Sequence, residues 1–334
     1  MVRVGRFGLV GWIGVSVSGA MLIWLVGTYD LQDLIEPLKT ADYVYLLPVP
    51  CLVILNFGIR AFRWRSLFTE SAPKSVTKVF RAMMVGYLFN NLMPAHAGDL
   101  VRAYQLSSDE GLSKSKTLAT LVLERTGDLL VLMGLLSTVL LFYPALPLWL
   151  KRSGMGVAAI TLGVVTTLSL LKMFGKRLSG IVASIAACVS AGLEDRVEIM
   201  GQNFLSGLAG LFDPWTAVRF FALTCMIWSV EVATAYLVGG AFSLNMPLGT
   251  VLFVLIAIAV GTLIPASPGY IGTFEYFGIS ALGMVGVAGG EALSFVVTLH
   301  AIAILGSSIL GAVCLVGRTG YPLPVAGELQ ESIK

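Results

Sequence analysis

Three ionisable side chains, Glu124, Arg125 and Asp128, lie within an otherwise apolar stretch from about residue 118 to residue 142. On insertion scales, one charged side chain at the centre of a bilayer-spanning helix raises the free energy of insertion by about 2.5–3.5 kcal/mol. Three such side chains together therefore predict an internal, paired arrangement. Glu124 and Asp128 are four residues apart and share a helix face. Arg125 lies about 100° round the helix from Glu124 and is expected to pair with another element. Such a cluster can bind a charged substrate, and the alternative is an ion-pair network that only fixes helix packing.

A further carboxylate, Glu231, lies within the apolar stretch from about residue 217 to residue 242. We expect it to pair with Arg102 or Arg125, or to carry a coupling proton, because intramembrane ionisable groups are generally functional. The alternative is a neutral glutamic acid whose polar atoms are satisfied by hydrogen bonds.

Proline and glycine interrupt two other apolar stretches, one in each half of the chain. The first interruption, residues 92–99, begins with the pattern apolar-apolar-Pro-Ala-x-x-Gly, and the second, residues 263–269, repeats it. Paired interruptions in the two halves of a polytopic protein indicate a transport site, whereas two ordinary loops are the alternative. The candidate translocation residues are Asn90, Asn91, Pro94, His96, Gly98, Asp99 and Arg102 at the first interruption and Pro265, Pro268, Gly269, Gly272 and Glu275 at the second.

The backbone at these interruptions can bind an anion. Each helix that begins again after a break presents free N–H groups, and two such ends that face each other form an anion site. Gly98, Gly269 and Gly272 allow a headgroup to approach the backbone. Arg102, together with Arg60, can add charge-assisted hydrogen bonds to a phosphate group.

The titratable residues near the interruptions have alternative interpretations. Glu275 is expected to balance an arginine or to accept a hydrogen bond from a headgroup amine. Asp99 has the similar position after the first interruption, where capping of the helix N-terminus is the alternative. His96 can titrate near neutral pH or serve only as a hydrogen-bonding loop residue. His300 is interpreted as a satisfied packing residue.

The composition predicts an all-α polytopic membrane protein. Of the 334 residues, 57% are hydrophobic and 12% are charged, and the mean hydropathy is +0.87. Soluble domains carry roughly 25% charged residues, and several apolar runs here reach the roughly 20 residues that cross a bilayer. The 4 cysteines are scattered without a CxxC pair and there are 2 histidines, so we expect neither a metal site nor a cofactor.

The order of apolar runs predicts one transmembrane domain over residues 1–317 and a short cytoplasmic tail over residues 318–334. The domain is expected to have about six full spans and two re-entrant hairpins. Its two halves, at about 43–143 and 215–316, are expected to form an inverted repeat. If each half of a hairpin crosses fully, there are more spans, and very short helices such as residues 83–93 have to cross.

Two further assignments concern the membrane surface. Residues 178–214 are expected to form interfacial helices, with insertion of residues 178–193 as the alternative. Trp64 and the arginines beside it, at positions 60, 63 and 65, are interpreted as an interfacial anchor. With two re-entrant hairpins, most of the 22 Lys and Arg residues lie on the side of the N-terminus. The positive-inside rule then predicts a multi-pass cell-membrane protein with both termini in the cytoplasm.

Three motifs follow one another along the chain. They are Asn90-Asn91-x-x-Pro94-x-x-x-Gly98-Asp99-x-x-Arg102, then Glu124-Arg125-x-x-Asp128, then Pro265-x-x-Pro268-Gly269-x-x-Gly272-x-x-Glu275. Over roughly residues 50 to 315 the chain resembles the flippase-like family, the transmembrane region of lysylphosphatidylglycerol synthases and its free-standing relatives. His96 departs from the pattern, because a basic residue, often Arg, is expected there.

This resemblance implies translocation of a lipid or a lipid-linked sugar. In the synthase branch the same chain also makes the lipid, with a large soluble aminoacyl-transfer domain after its last helix. Only a short segment follows Val316 here, so aminoacylation is not expected. The sequence also contains no GxxxxGK[ST] motif for ATP hydrolysis.

The sequence therefore predicts a flippase-like transporter rather than an enzyme. It would move a phospholipid or polyprenyl-phosphate-linked headgroup between leaflets through a polar cavity between the two hairpins. Enzymes of lipid or glycan synthesis are candidate partners, nucleic acid is not, and the oligomeric state is open. The alternatives are an intramembrane lipid-phosphate enzyme, which lacks an evident nucleophile or metal cluster, and a non-transporting partner of a lipid synthase.

Overall fold

A computed structural model describes residues 9–68, 75–93, 97–142, 148–187, 191–208, 213–264, 267–287 and 289–316. Within these ranges the chain is helical and has no β-strand. The predicted site residues Pro94, His96 and Pro265, and the tail over residues 318–334, lie outside them. The helices are α1 (Leu9–Thr28), α2 (Leu31–Thr40), α3 (Val49–Ser66), α4 (Val76–Leu92), α5 (Ala97–Glu110), α6 (Lys114–Phe142), α7 (Leu148–Ala187), α8 (Ala191–Leu208), α9 (Pro214–Ala241), α10 (Leu248–Gly261), α11 (Thr273–Met284) and α12 (Gly290–Val316), with 3₁₀ turns at Tyr43–Leu46 and Pro268–Tyr270.

Several of these helices are long and apolar enough to cross a membrane. Among the described residues, four segments meet that standard: Tyr43–Ser66, Met155–Gly175, Pro214–Ala241 and Gly290–Val316. Of these, Pro214–Ala241 overlaps the apolar stretch at about residues 217–242 in which Glu231 lies. The predicted all-α, multi-pass architecture is therefore confirmed, while the number of spans stays a prediction.

Both sequence interruptions lie at the tips of antiparallel helix pairs. In the first pair, Lys78 at the start of α4 is 2.9 Å from Glu110 at the end of α5, and Gly86 faces Gly98 and Arg102 nearer the tip. In the second pair, α10 and α11 pack together, and α12 contacts both α4 and α11. We refer to these pairs as the first and second hairpins.

The helix α7 extends into the segment, residues 178–214, that the sequence predicts to form interfacial helices. It runs from Leu148 to Ala187, for 40 residues in all, which at about 1.5 Å per residue is roughly 60 Å. α8 packs against α7 and α6, and the Ser115 hydroxyl donates to the Met200 carbonyl at 2.6 Å. Residues 178–187 therefore extend a long helix, and α8 is its packed neighbour. An interfacial position for α8 stays a prediction.

α9 begins at an acidic residue followed by proline. The Asp213 carboxylate accepts a hydrogen bond from the Thr216 backbone N–H at 2.8 Å, and this bond holds the pKa of Asp213 below its usual value. Pro214 occupies the first turn, where its missing N–H group removes no intrahelical bond. The helix start is thus determined locally by the sequence.

Two apolar cores support the two hairpins. One joins α10, α11 and α12 through buried residues such as Val254, Ile279 and Phe295. The other joins α3, α4 and α6 through Trp64, Met84 and Leu123. Because lipid tails are themselves apolar, association of such helices depends on close packing and on polar contacts between them.

The close approach of α4 and α5 generates the first prediction. A Cβ atom at Gly98 would lie 1.9 Å from the Gly86 carbonyl oxygen, so Gly98→Ala must separate the two helices. We expect it to lower the free energy of unfolding by about 1–3 kcal/mol, the usual cost of overpacking. Unfolding in mixed micelles with increasing denaturing detergent, followed by circular dichroism, measures the change.

The matched control is Gly134→Ala in α6, where a Cβ atom meets nothing within 4 Å. It should leave stability unchanged or raise it, by up to about 1 kcal/mol, because alanine has the higher helix propensity. Equal effects of the two substitutions would contradict the packing role of Gly98.

Candidate functional site

Charged side chains from four helices meet beside the first interruption. We call them the charge cluster: Arg60 and Arg63 from α3, Asp99 and Arg102 from α5, Glu124, Arg125 and Asp128 from α6, and Glu231 from α9. Arginines and carboxylates are equal in number, so the formal charges cancel. A neutral set of pairs is the arrangement that allows such groups inside a membrane protein.

Glu124 is the centre of the inner part of the cluster. Its Oε1 accepts a hydrogen bond from Arg63 Nη2 at 3.0 Å, and its Oε2 lies 3.1 Å from Arg102 Nη1. All three side chains are at most 3% exposed. Arg63 also donates to Asp128 Oδ2 at 3.2 Å and to the Thr224 hydroxyl at 2.9 Å.

Aromatic rings cover the two inner guanidinium groups. Arg102 lies over the Trp64 ring with 4.9 Å to the centroid, and Arg63 lies over Phe220 at 4.8 Å. These ring faces attract the cations without a directed hydrogen bond. The Trp64 indole N–H donates to the Thr120 hydroxyl at 3.0 Å, which satisfies its buried polar atom.

Arg102 is held by charge and by rings rather than by aligned hydrogen bonds. Its Nε is 3.1 Å from Asp99 Oδ1 and its Nη1 is 3.1 Å from Glu124, yet the angles there do not meet hydrogen-bond geometry. Its Nη2 is buried without a hydrogen-bond partner among the described residues. The innermost arginine therefore keeps N–H groups with no aligned acceptor in this conformation.

The outer part of the cluster consists of exposed pairs. Arg125 Nη2 donates to Asp99 Oδ2 at 2.7 Å. Arg60 donates to Glu231, and its Nε donates to Asn56 Oδ1 at 2.7 Å. The Arg125 and Arg60 side chains are 48% and 23% exposed, in contrast to the buried inner arginines. A ligand that approaches the cluster meets these outer pairs first.

Several predictions about these residues can now be compared with the geometry. Glu124 and Asp128 do share a face, because both contact Arg63. Arg125 does pair with another element, through Asp99 of α5. Asp99 contacts Arg102 as well, so it serves the ion-pair network rather than capping alone. The predicted partners of Glu231 are wrong, since its carboxylate pairs with Arg60.

The assignment of Trp64 and Arg63 to an interfacial anchor is also wrong. Both side chains are buried, at 0% and 1% exposure, in the core between α3 and α6. The run of arginines around an aromatic residue resembles an anchor, which is why sequence reasoning missed Arg63. The signal that could have identified Arg63 is its three-residue spacing from Arg60, which places both arginines on one helix face.

Two asparagines connect the first interruption to its neighbours. Asn90 donates to Asp99 Oδ1 at 3.3 Å, and Asn91 donates to the Ser307 and Ser308 hydroxyls of α12 at 2.9 and 3.0 Å. Gly98 was expected to admit a headgroup, but its open side is filled by the backbone of Gly86 and by Asn90.

The second interruption is closed by a glutamate and a histidine. Gly269 and Gly272 have φ of 67° and 94°, which favours glycine at both positions. Glu275 Oε2 accepts from the Gly272 N–H at 2.7 Å, and its Oε1 is 2.5 Å from His300 Nδ1. His300 Nε2 contacts the Gly269 carbonyl oxygen at 2.8 Å. Pro268 opens the 3₁₀ turn that contains Gly269, and Gly272 precedes the first residue of α11.

These contacts change the interpretation of three residues. Glu275 does not balance an arginine, because His300 and the backbone occupy both of its oxygens. His300 is buried and satisfied, as predicted, but it also closes the turn. Gly272 does not face open space, since a Cβ atom there would lie 2.6 Å from the carbonyl oxygen of Ser18 in α1.

The two interruptions adjoin each other. A Cβ atom at Gly269 would lie 3.8 Å from the carbonyl oxygen of Asn91, so the 3₁₀ turn rests on the end of α4. Tyr270, in the same turn, is within electrostatic range of Asp99 and Arg125. The second interruption therefore borders the outer, exposed side of the charge cluster.

Among the described residues, no group of three or more His, Cys, Asp or Glu side chains is placed to hold a metal ion. The carboxylates are neutralised by arginines, as their pairwise distances show.

A helical chain with several apolar spans, charged side chains buried between its helices and two interrupted hairpins is a multi-pass membrane protein. The family model of the lysylphosphatidylglycerol synthase transmembrane region matches residues 11–311. The chain therefore belongs to that family.

Its curated relatives include archaeal membrane proteins. A UPF0104 membrane protein of Methanothermobacter thermautotrophicus is 24% identical over 79% of this chain and 81% of its own length. A UPF0104 membrane protein of Methanocaldococcus jannaschii is 26% identical over 67% of this chain and 91% of its own length. Glycosyltransferase AglD of Haloferax volcanii is 24% identical over 91% of this chain but only 53% of its own length. No solved structure matches the chain significantly.

The inner cluster generates the second prediction. Glu124→Gln removes the carboxylate that Arg63 and Arg102 share, and it leaves the cluster with one positive charge in excess, although Asp128 and Asp99 still contact the two arginines. We expect the free energy of unfolding to fall by about 3–5 kcal/mol, the usual effect of removing one partner of a buried ion pair. Denaturing-detergent titration of the purified protein measures it.

The control is Glu36→Gln, which breaks the exposed pair between Glu36 and Lys39. An exposed pair of this kind contributes about 0–1 kcal/mol, so the control should unfold almost as the unchanged protein does. A Glu124→Gln variant as stable as this control would show that the inner cluster does not hold the helices together.

Proposed function

We propose that this protein moves the headgroup of a phospholipid or a polyprenyl-phosphate-linked lipid between the two leaflets of a membrane. The observation that carries the proposal is the graded charge cluster beside two adjoining helix interruptions. Its arginines range from fully buried, at Arg63 and Arg102, to half exposed, at Arg125. A polar route that reaches from an accessible surface into the interior is what a translocated headgroup requires.

Arg125 is the residue that first contacts the headgroup in this proposal. Its guanidinium is exposed and is held by a single carboxylate, that of Asp99. A lipid phosphate can replace that carboxylate with bidentate, charge-assisted hydrogen bonds. Asp99 then keeps a partner, because Arg102 lies 3.1 Å away. The exchange leaves no isolated charge, which keeps its energetic cost low.

The inner residues provide the second step. Arg102 has an Nη2 group without an aligned acceptor among the described residues, so it can donate hydrogen bonds to the oxygens of a phosphate group that has passed Arg125. The acyl or prenyl tails remain in the bilayer while the headgroup passes. Movement of one hairpin relative to the other, as re-entrant elements of an inverted repeat, gives access from each side. We also propose that both termini lie in the cytoplasm of the cell membrane, as the positive charges favour.

The third prediction tests this route. Purified protein in liposomes is assayed for exchange of headgroup-labelled lipids, read by the accessibility of the label to an added quencher. Arg125→Gln removes one charge-assisted contact with the headgroup. That contact contributes about 1.5–3 kcal/mol, so exchange of the favoured lipid should fall by about ten- to a hundredfold.

The matched control is Arg219→Gln. Arg219 is an exposed arginine near the start of α9, outside the charge cluster, and its substitution should leave exchange unchanged. Exchange that is equally fast with Arg125→Gln removes that residue from the route. The absence of exchange for every lipid, with folded protein and sealed vesicles, contradicts the proposed function.

A role in lipid-linked glycan synthesis is the second candidate. It is favoured by the relative that is named a glycosyltransferase, of which this chain matches about half. The lipid panel therefore includes a polyprenyl-phosphate sugar beside phospholipids. Release of phosphate or sugar from these lipids by the purified protein would favour an enzyme. If the purified protein is inactive by itself and activity appears only together with a co-purified synthase, a non-transporting partner is favoured.

A further inference from the structure

The imidazole of His300 lies between two hydrogen-bond acceptors. Its Nδ1 is 2.5 Å from Glu275 Oε1 and its Nε2 is 2.8 Å from the carbonyl oxygen of Gly269. The ring also stacks on Phe274, with 4.1 Å between centroids and 3° between planes, so its orientation is fixed. His300 and Glu275 are only 5% and 7% exposed.

The number of protons in this arrangement follows from the two acceptors. A carbonyl oxygen can only accept, so Nε2 must carry a proton to bond Gly269. A neutral imidazole has one N–H group, and Nδ1 would then face the carboxylate with a lone pair. Both contacts are favourable only if a second proton lies between Nδ1 and Glu275. That proton belongs either to an imidazolium or to a carboxylic acid.

Loss of this proton breaks one of the two contacts. If Nε2 keeps its hydrogen, the Nδ1 lone pair repels the Glu275 carboxylate. If the hydrogen moves to Nδ1, the Nε2 lone pair faces the Gly269 carbonyl oxygen. In the first case the repelled carboxylate is the one that accepts from the Gly272 N–H, and in the second case the contact with the Gly269 carbonyl oxygen is lost.

The other ionisable groups near this pair are tyrosines or members of ion pairs, so the pair itself is the site at which a proton can be exchanged. α10 and the described part of α1, which both pack against α11, contain no ionisable side chain. α11 contains Tyr276 and the 3₁₀ turn contains Tyr270, which is within electrostatic range of Tyr87 in α4. Asp99 and Arg125, also within electrostatic range of Tyr270, pair with each other. Glu124 and Glu231 face arginines, which favour their charged form.

We propose that the Glu275–His300 pair is a proton-binding site that controls the second interruption. With the additional proton bound, both contacts form and the turn is held in the observed conformation. When the proton leaves, the carboxylate and the neutral ring separate and the turn is released. The chemical step is dissociation of one proton from the pair to water, with no other bond made or broken.

The consequence for transport depends on the proposed function. The turn rests on the end of α4 beside Asn91, and Tyr270 is within electrostatic range of Asp99 and Arg125 in the outer part of the charge cluster. Its release therefore changes the surface that borders Arg125. A headgroup would then pass only in one protonation state of the pair, so that translocation becomes dependent on pH.

The fourth prediction concerns hydrogen exchange of backbone amides, and its measurement requires no lipid substrate. Hydrogen–deuterium exchange of the full-length protein in micelles is measured from about pH 5 to pH 8, the range in which histidine ordinarily titrates, and is corrected for intrinsic rates. Protection of residues 267–276 should fall about tenfold or more as the pH rises, as expected for loss of one buried hydrogen bond. Protection of α12 beyond residue 303 should not change.

Two substitutions test whether the proton between Glu275 and His300 controls the turn. In Glu275→Gln the new amide can donate to Nδ1 and still accept from the Gly272 N–H, so it imitates the protonated pair. Protection should stay high at all pH values. His300→Gln removes the titrating ring, and protection should be low at all pH values. Glu291→Gln, an exposed substitution at the start of α12, should retain the response of the unchanged protein.

The outcomes separate this inference from the proposed function. Protection of residues 267–276 that does not vary with pH in the unchanged protein overturns the proton site, and so does a Glu275→Gln variant with the full pH response. If Glu275→Gln does not fold, a His300→Gln variant that keeps the pH response overturns it equally. Lipid exchange is measured on the same samples. A pH-dependent turn without exchange of any lipid retains the proton site and rejects transport.

Discussion

The burial of Glu124 between Arg63 and Arg102 is the interaction on which the rest of the structure depends. Each of these groups is expensive to remove from water, and each is tolerated because an opposite charge lies beside it. Glu124 contacts both arginines, while Asp128 also contacts Arg63 and Asp99 also contacts Arg102. Their side chains come from α6, α3 and α5, so the need for neutralisation fixes how these three helices pack. The rings of Trp64 and Phe220 then cover the two guanidinium groups, of which that of Arg102 has no aligned hydrogen bond to the described residues.

The same constraint explains why polarity increases toward one side of the cluster. The inner carboxylate contacts two arginines and is buried with them, whereas the outer arginines, Arg60 and Arg125, are 23% and 48% exposed. Exposed pairs contribute little to stability and exchange partners at low cost. The stable inner part and the exchangeable outer part are thus two parts of one charge cluster. The outer part lies within electrostatic range of Tyr270 in the second interruption.

The sequence predicted much of the fold and part of the site. The spans, the two interruptions and the need for Glu124, Arg125 and Asp128 to be paired all follow from local patterns, and membership of the lysylphosphatidylglycerol synthase transmembrane family is confirmed. The errors concern partners. Arg63 and Trp64 were assigned to the surface, Glu231 to the wrong arginines, and Glu275 to an arginine instead of His300. In each case the local sequence is equally compatible with both environments.

The sequence by itself determined where charge, proline and glycine interrupt the apolar runs, because these properties belong to individual residues and their near neighbours. It thereby established a polytopic helical membrane protein and located its polar residues. The tertiary structure alone decided which arginine neutralises which carboxylate, and that Gly98 and Gly272 serve close packing rather than an open site. Those outcomes depend on the angles and heights at which distant helices cross, which are set by the packing of the whole bundle.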